Sequence, residues 1–508
     1  MKETLIFGPP GCGKTYTLIN IVKKELKNGT PIDRIGFVSF SRKSIAEARD
    51  RIFDQLKIAS KDAVWFKTLH STGYHWLGFD ESNMLTRSDF WKLSEELGLD
   101  FDNNTATSSA DGLISQSNKK GNRYLELIGR SVMREISLEE EYNNHADYEL
   151  NFSMLKKVDS FYKYYKKKYN KYDFTDMIRM FVEQGTAPKL DALIVDEAQD
   201  LTPLQWSMVN VLKQSAQRVW YAGDDDQAIH SWNGVEVEKF LKCCDNVQVL
   251  NQSFRIPKTI FGLAGKLSQR ILKRKSKTWN PTDNLGTLNY HLDTGSFDDI
   301  NLDQNSWTIM TRTNKILSRI ERSLRNDGFL YERYGRSSFN IEYIEHMDTW
   351  NDLKKGDDVA LDRILKLYDF VPKLGANKVV KRGSKKTFES IDPQSFLGYN
   401  SLVSNHGMLA SKEKDAEDIV NMSEEERFYK SALLRRGEDL TNPRIKLSTI
   451  HQMKGGEDDN IILFNESCYP AVNSKNQDEE HRVFYTGVTR AKQNLHIVES
   501  SGKYRYII

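Results

Sequence analysis

Cysteine is scarce in this chain: four residues, Cys12, Cys243, Cys244 and Cys468, among 508. None stands in a CxxC pair, and no Cys/His cluster has the spacing of a zinc site, so no structural metal is expected. Cys243 and Cys244 are neighbours, too close in sequence for a mutual structural disulfide. A reducing, cytosol-like compartment follows. Long apolar runs are also missing. None approaches the roughly 20 residues that span a bilayer, so no membrane partner is expected. The amino-terminus, MKETLIFGPPGCGKT, runs directly into a strand and a glycine-rich loop, so no signal peptide is expected. An excess of one charge is lacking too: 73 Lys and Arg against 71 Asp and Glu give a net +2. Any polyanionic partner must therefore meet local, not global, positive charge. No internal repeat of about 20–50 residues is evident.

What is present is a globular composition, 39% hydrophobic and 28% charged. A chain of 508 residues exceeds what one core organises, so roughly two to four domains are expected. Short apolar strands alternate with helical stretches. ETLIF at 3–7 reads as a strand, with a helix from Thr15 to about Leu26. Ile35–Phe40 reads as a strand, with a helix from Ser44 to Leu56. Further strands are expected at Ala192–Asp196, Val219–Gly223, Trp307–Thr311, Ile445–Ser448, Asn460–Phe464 and Leu495–Glu499. This is an α/β pattern with parallel sheets. It is interrupted at about 80–172 by a polar, mostly helical stretch with a loose Asn/Ser-rich part around Asn103–Asn118. It is interrupted again at about 340–440 by a charged stretch with basic pairs at Lys381-Arg382 and Lys385-Lys386.

Gly8-Pro9-Pro10-Gly11-Cys12-Gly13-Lys14-Thr15 fits GxxxxGK[ST] between a strand and a helix. Its glycines let backbone N–H groups face phosphate oxygens at the helix's positive end. Lys14 is placed for the β and γ phosphates, and the Thr15 hydroxyl for Mg²⁺. The bland alternative, an ordinary glycine-rich turn, does not require a strand before and a helix after. Leu193-Ile194-Val195-Asp196-Glu197 is a hydrophobic strand closing on acids. Asp196 would hold Mg²⁺ and Glu197 would polarise the attacking water. Alone, these acids could be a solvated loop. Together with the phosphate loop they point to hydrolysis of a nucleoside triphosphate, with ATP and Mg²⁺ expected.

Asp196-Glu197-Ala198-Gln199-Asp200 and the string Gly223-Asp224-Asp225-Asp226-Gln227-Ala228-Ile229-His230-Ser231-Trp232-Asn233-Gly234 resemble the UvrD/Rep/PcrA family of superfamily 1 DNA helicases. The resemblance implies two RecA-like P-loop motor domains with parallel sheets, each carrying a mostly helical insertion. Residues 1–80 and 173–255 would form the first motor and 81–172 its insertion. Residues 256–340 and 440–508 would form the second motor and 341–439 a reduced insertion. It implies that Gln227 senses the γ-phosphate and that Trp232 stacks on a base, although a lone tryptophan is more often core. It places Phe40, Thr68 and His70 on DNA, where each taken singly would read as core or local hydrogen bonding. It implies that Phe254 stacks on adenine and Arg255 reaches the γ-phosphate, from Gln252-Ser253-Phe254-Arg255. Arg312 and Asn314 would touch DNA from the second motor. In Thr449-Ile450-His451-Gln452-Met453-Lys454-Gly455-Gly456-Glu457, Thr449 and His451 would face DNA and Glu457 the ribose. Arg490 would be the arginine finger, suited by a planar fork that stays charged. Asp173-Phe174-Thr175-Asp176 resembles the signature that re-enters the first motor, with a structural role.

The sequence departs from the family at several points. No glutamine precedes Gly8, so adenine contact would rest on Phe254 and other residues. His230 stands where tyrosine is common, Asn233 where arginine is, and Gly456 where leucine is. The implied activity is an ATP-dependent 3′→5′ DNA helicase serving replication, repair or recombination. The expected partners are single-stranded DNA, duplex junctions and replication or repair proteins. A cytoplasmic monomer is expected, in a bacterium or a virus-infected cell. Two rivals share these motifs: a single-strand translocase that strips bound proteins, and an ATP-dependent DNA-binding switch. The segment Phe161-Tyr162-Lys163-Tyr164-Tyr165-Lys166-Lys167-Lys168-Tyr169 interleaves aromatics with lysines. It reads first as an amphipathic helix with Phe161, Tyr165 and Tyr169 on the core, and second as a nucleic-acid path.

Overall fold

The computed structural model describes residues 1–56, 62–101, 119–145, 149–297, 299–474 and 476–508. The stretch Asn103–Asn118 lies outside them. The protein is α/β, built on two mainly parallel sheets. The first contains β1 (Lys2–Phe7), β2 (Ile35–Ser39), β3 (Phe66–Thr68), β4 (Ala192–Asp196), β5 (Arg218–Gly223) and β6 (Val247–Val249), in the order β3-β2-β4-β5-β1-β6. Every pairing in it is parallel. Strands β2 and β4 are buried along their whole length, as expected where helices cover both faces.

The second sheet contains β7 (Thr287–Leu292), β8 (Trp307–Thr311), β9 (Tyr331–Arg333) and β10 (Arg336–Ser337). After a separate antiparallel pair, β11 (Val359–Ala360) and β12 (Phe396–Leu397), it is completed by β13 (Ile445–Thr449), β14 (Asp458–Phe464) and β15 (Ala491–Glu499). Its order is β10-β9-β13-β8-β14-β15-β7, with only β10 antiparallel to its neighbour. Strands β3, β6 and β7 are not legible in the sequence. The first two span three residues each, too short to show a period. The third is a polar edge strand whose residues are mostly exposed.

Register aligns the carboxyl ends that matter. Phe7 pairs with Gly223, and Ser39 pairs with both Asp196 and Thr68. The loops after β1, β2, β3, β4 and β5 therefore open along one edge, where ligands bind in open α/β sheets. In the second sheet Thr449 pairs with Thr311, which sets Arg312 beside Ile450.

Between β3 and β4 stand the helices Arg87–Leu97, Lys120–Arg134, Leu138–His145 and Phe152–Tyr169. They close on their own core, which includes Leu93, Tyr124, Leu155, Val158 and Tyr165. A bridge between Met84 and Tyr172 pins the two ends of this unit together. Between β10 and β13, the helices Glu342–Lys355, Leu361–Phe370 and Tyr399–Asn405 surround a second local core with Trp350, Ile364 and Leu402. The helix Glu424–Arg436 returns toward the sheet, and Tyr429 Oη donates to Phe329 O at 2.8 Å. Among the described residues, no helix is long and apolar enough to cross a membrane.

Candidate nucleotide and nucleic-acid site

The loop Gly8–Thr15 follows β1 and leads into the helix Lys14–Lys27. Gly11 and Gly13 both sit at φ 71°, left-handed backbone that favours glycine. A Cβ on Gly8 would lie 2.9 Å from that of Lys14, so the loop folds closely over its own lysine. Lys14 Nζ is 2.6 Å from Glu197 Oε1. Burial would lower the ammonium's pKa, but Glu197 and then Asp196 outweigh it and raise it. Asp196 closes β4 at 1% exposure. Burial, then the Glu197 charge, raises its carboxyl to about 7. Burial would raise Glu197 as well, but Lys14 and Lys454 hold it down at about 2. Glu197 itself sits at φ 51°, an uncommon conformation for a side-chain-bearing residue, here at the centre of the acidic cluster.

Gln199 and Asp200 complete this edge. Gln199 Nε2 donates to Glu197 at 2.5 Å and to Asp200 at 2.9 Å, while its Oε1 accepts from Asp224 N at 3.1 Å. One amide thus stitches the end of β4 to the end of β5.

The second half of the chain reaches into this edge. Arg490 Nη2 donates to Gln227 Oε1 at 2.6 Å, and its other bonds run to the carbonyls of Thr486 and Gly456 and to the Thr489 hydroxyl. Arg490 is 1% exposed. Burial, then the neighbouring Arg255, lowers its pKa to about 9. Gln227 Nε2 donates in turn to Asp224 at 2.6 Å. Lys454 Nζ donates to both oxygens of Asp200, at 2.7 and 2.5 Å, and to Gln227 O at 2.6 Å.

Ser253 and Phe254 lie on the loop directly: Ser253 Oγ donates to Pro10 O at 2.7 Å, and Phe254 N to Gly11 O at 2.9 Å. The Phe254 ring lies beside Gly13 and is 77% exposed, a flat apolar face held over the phosphate loop. Arg255 and Glu457, expected on γ-phosphate and ribose, form an ion pair with each other.

The expected nucleic-acid residues divide. Phe40 stacks on His230 at 5.5 Å between centroids, and His230 stands 6.2 Å from both Trp232 and His451. These four rings make one row joining the two halves. His230, noted in the sequence only as a departure, is its centre. Thr68 caps the helix Leu69–Leu77 by accepting from Ser71 N at 3.2 Å. His70 is buried, with Nε2 unpartnered, and faces Phe174 at 6.3 Å. Burial first, then Arg42, takes its pKa to about 4. Burial, then Arg312 and Lys454, takes His451 to about 3. Both imidazoles are neutral near pH 7 and bring no cation to a phosphate. Thr449 is buried and accepts from Gln452 N at 3.3 Å. Arg312 pairs with Glu480 at 2.9 Å, and Asn314 Oδ1 accepts from Arg333 and Tyr334. Neither joins the ring row. Asp173 caps the helix Phe174–Gln184 in a reciprocal box with Asp176.

Three residues with no assigned role in the sequence reading hold the Gly223–Gln227 turn. Lys277 Nζ, fully buried, lies 2.8 Å from Asp224 and 2.9 Å from Asp226, and it also pairs with Asp225. Arg274 makes a two-pronged pair with Asp226 at 2.7 and 2.6 Å. Arg482 Nε donates to Asp225 O at 2.8 Å. The three carboxylates have the mutual spacing of a metal site, but an ammonium already occupies the position between them.

Residues 1–248 match the UvrD/REP helicase N-terminal domain, and residues 400–502 match the UvrD-like helicase C-terminal domain. The chain belongs to the UvrD/Rep helicase family. Among its relatives is the ATP-dependent DNA helicase PcrA of Staphylococcus aureus (strain Mu50 / ATCC 700699), 20% identical over 603 aligned positions covering 98% of this chain and 81% of PcrA. The PcrA of Staphylococcus epidermidis is 21% identical with the same coverage. The ATP-dependent DNA helicase Rep of Buchnera aphidicola is 23% identical over 247 residues, 46% of this chain and 35% of Rep. In this UvrD/Rep-type chain the N-terminal match carries the phosphate loop, Asp196, Glu197 and Gln227, and the C-terminal match carries Lys454, Glu457 and Arg490.

Proposed function

We propose that this chain is an ATP-driven motor that moves 3′→5′ along single-stranded DNA and unwinds duplex at junctions. The observation that carries the reading is the Arg490–Gln227 hydrogen bond, which joins a buried cation of the second half to the phosphate-facing edge of the first. Arg490 is held by neutral oxygen acceptors only. A γ-phosphate at this edge would give it an anionic partner, and hydrolysis would remove that partner. Differential affinity of this kind drives domain closure and reopening.

Lys14 is shared between two tasks. Paired with Glu197 it neutralises the acid; drawn onto β and γ phosphates it frees Glu197 to polarise water. Asp196 and the Thr15 hydroxyl are hard oxygen donors at the strand tip and helix start, a donor set that fits Mg²⁺. Thr15 and Asp196 would hold that ion, which supplies charge neutralisation on phosphate oxygens. Phe254 presents a face for the base. Lys454 ties Asp200 and the Gln227 carbonyl to the segment bearing His451. Through it, a shift of Gln227 reaches the ring row of His451, His230, Trp232 and Phe40, where bases would stack.

The test is steady-state ATP hydrolysis with and without oligothymidylate, beside Lys14→Ala. Strong stimulation that vanishes in Lys14→Ala supports the motor. Robust hydrolysis indifferent to DNA removes it. Strand-displacement assays on 3′- and 5′-tailed duplexes then report polarity. Translocation without displacement would favour a protein-stripping translocase. A second outcome concerns the base. Phe254→Ala should raise KM for ATP about 2–12-fold with little change in kcat, the range of an aromatic stacking contact. An unchanged KM would exclude Phe254 as the base platform.

A further inference from the structure

The lysine–tyrosine segment noted in the sequence takes no part in the nucleotide edge or the ring row. The helix Phe152–Tyr169 carries six lysines against one acid, Asp159. Its inner side is accounted for. Leu155, Val158, Tyr162 and Tyr165 are buried in the local core, and Lys166 turns inward to Asp173 and Asp176 at 2.7 Å each. Its outer side is different: Lys156, Lys157, Lys163, Tyr164, Lys167 and Lys168 are exposed. Their spacing repeats at three and four residues, so they form one stripe about 18 Å long.

One ring stands in that stripe instead of in the core, Tyr164 at 56% exposure; Tyr169, 45% exposed, flanks the stripe at the helix end from the Tyr162–Tyr165 side and packs 4.6 Å from the Tyr165 ring. Phe161 is partly buried and Tyr165 buried, as the expected core face requires, while Tyr169 keeps that face against Tyr165 but is only partly covered. Lys168 Nζ lies 5.6 Å from the Tyr164 centroid and 5.1 Å from that of Tyr169. Lys92, from the helix Arg87–Leu97, stands 5.6 Å from the Tyr169 ring on its side. Among the described residues, no carboxylate pairs with Lys156, Lys157, Lys167 or Lys168, while Lys163 pairs with Asp159 at 2.8 Å. Unneutralised cations interleaved with exposed rings complement a polyanion that also offers flat faces.

The stripe is continuous with the first motor. A cleft of about 1080 Å³ lies behind the helix, lined by Lys163 and Lys167 on one wall and by Arg42, His70, Phe174 and Arg179 on the other. Arg42 and His70 follow Phe40 and Thr68 at the ends of β2 and β3. Lys163 and Lys167 therefore form the rim between the cleft and the outer face.

We propose that the outer face of the helix Phe152–Tyr169 is a second contact for single-stranded nucleic acid. Lys156, Lys157, Lys167 and Lys168 take phosphates, and Tyr164 and Tyr169 stack on bases of the strand that passes the cleft. This rests on the single-strand motor reading above. The test measures binding of the full chain to oligothymidylates of about 8 and about 24 nucleotides, and to blunt duplex, across a salt series. Tyr164→Ala/Tyr169→Ala should leave the short oligomer's affinity as in the wild type and weaken the long one about tenfold, within the range of base–aromatic stacking. Tyr164→Phe/Tyr169→Phe should restore it. Lys167→Gln/Lys168→Gln should lower the salt slope for the long oligomer by about 1.4, from about 0.7 per phosphate contact on a single strand. All the substituted side chains are exposed, so folding is not at stake. Wild-type length dependence and salt slope in both variants would overturn the contact while leaving the motor standing. A deficit confined to blunt duplex would overturn it as a single-strand site. Absence of single-strand binding by the wild type would overturn the motor reading and this contact together.

Discussion

Replacing Arg490 with methionine should lower kcat for DNA-stimulated ATP hydrolysis by about 10³–10⁵-fold, the range found when an arginine finger is removed. The same change should cost about 1–3 kcal/mol of folding stability, because buried acceptors such as Gln227 Oε1 and the Thr486 carbonyl lose their donor. The physical case is its surroundings. Arg490 is buried, its contacts are carbonyl, amide and hydroxyl oxygens, and burial with Arg255 nearby depresses its pKa to about 9. A charge held this way is poorly satisfied until an anion arrives. Arg490→Lys should not restore the rate, since a point charge lacks the planar fork that spans Gln227 and a phosphate oxygen. Hydrolysis rates and urea midpoints measured on the same preparations separate the two roles. A stable variant with undiminished kcat would remove Arg490 from the chemistry, and a collapse in stability would make it structural.

Lys277→Met should have the opposite signature, a loss of about 3–5 kcal/mol of stability, because removing one partner strands buried charge. Lys277 and the three carboxylates it touches are at most 1% exposed by side chain. Arg274 remains for Asp226, but Asp224 and Asp225 lose their cation. The pH dependence has a definite sign. Burial, opposed by Lys277, already raises Asp225 above the usual carboxylate range, and the variant raises it further. A carboxyl with a raised folded-state pKa destabilises above its unfolded value, and the penalty fades as pH falls through the folded pKa. The deficit of the variant should therefore shrink as pH falls from neutral toward the ordinary carboxylate value of about 4, with urea midpoints across that range as the measure. A constant deficit, or none, would mean that the ammonium does not neutralise this cluster. Because Asp224 also accepts from Gln227, the variant should disturb the Gln227–Arg490 contact as well.

Much of the nucleotide edge is legible in the order of residues. The phosphate loop needs left-handed glycines at Gly11 and Gly13, and the strand ALIVD needs burial on both faces before it can close on Asp196. These are local demands of backbone conformation and hydrophobic run. The ring row was half legible. Trp232, Phe40 and His451 are visible in their strings, but His230 joins them only because β2, β5 and the loop after β13 end at neighbouring places. Thr68 shows the converse: a residue in a recognisable string whose hydroxyl caps its own helix. Tyr169 reads as core by helical spacing and does pack beside Tyr165, but as the last residue of its helix it is only partly covered, at 45% exposure.

The sequence by itself determined the phosphate loop, the acidic strand tip, the alternation of strand and helix, and membership of a helicase family. Each rests on residues within a few positions of one another, where steric preference and hydrophobic period act without help from the rest of the chain. Only the tertiary structure decided which charges meet. Lys277 finds Asp224 across 53 positions, Lys454 finds Asp200 across 254, and Arg490 finds Gln227 across 263. No local preference selects such partners. They are chosen because two sheets fold with their loop-bearing ends facing each other, and a cation buried in that seam is stable only beside the oxygen atoms that the opposite sheet brings to it.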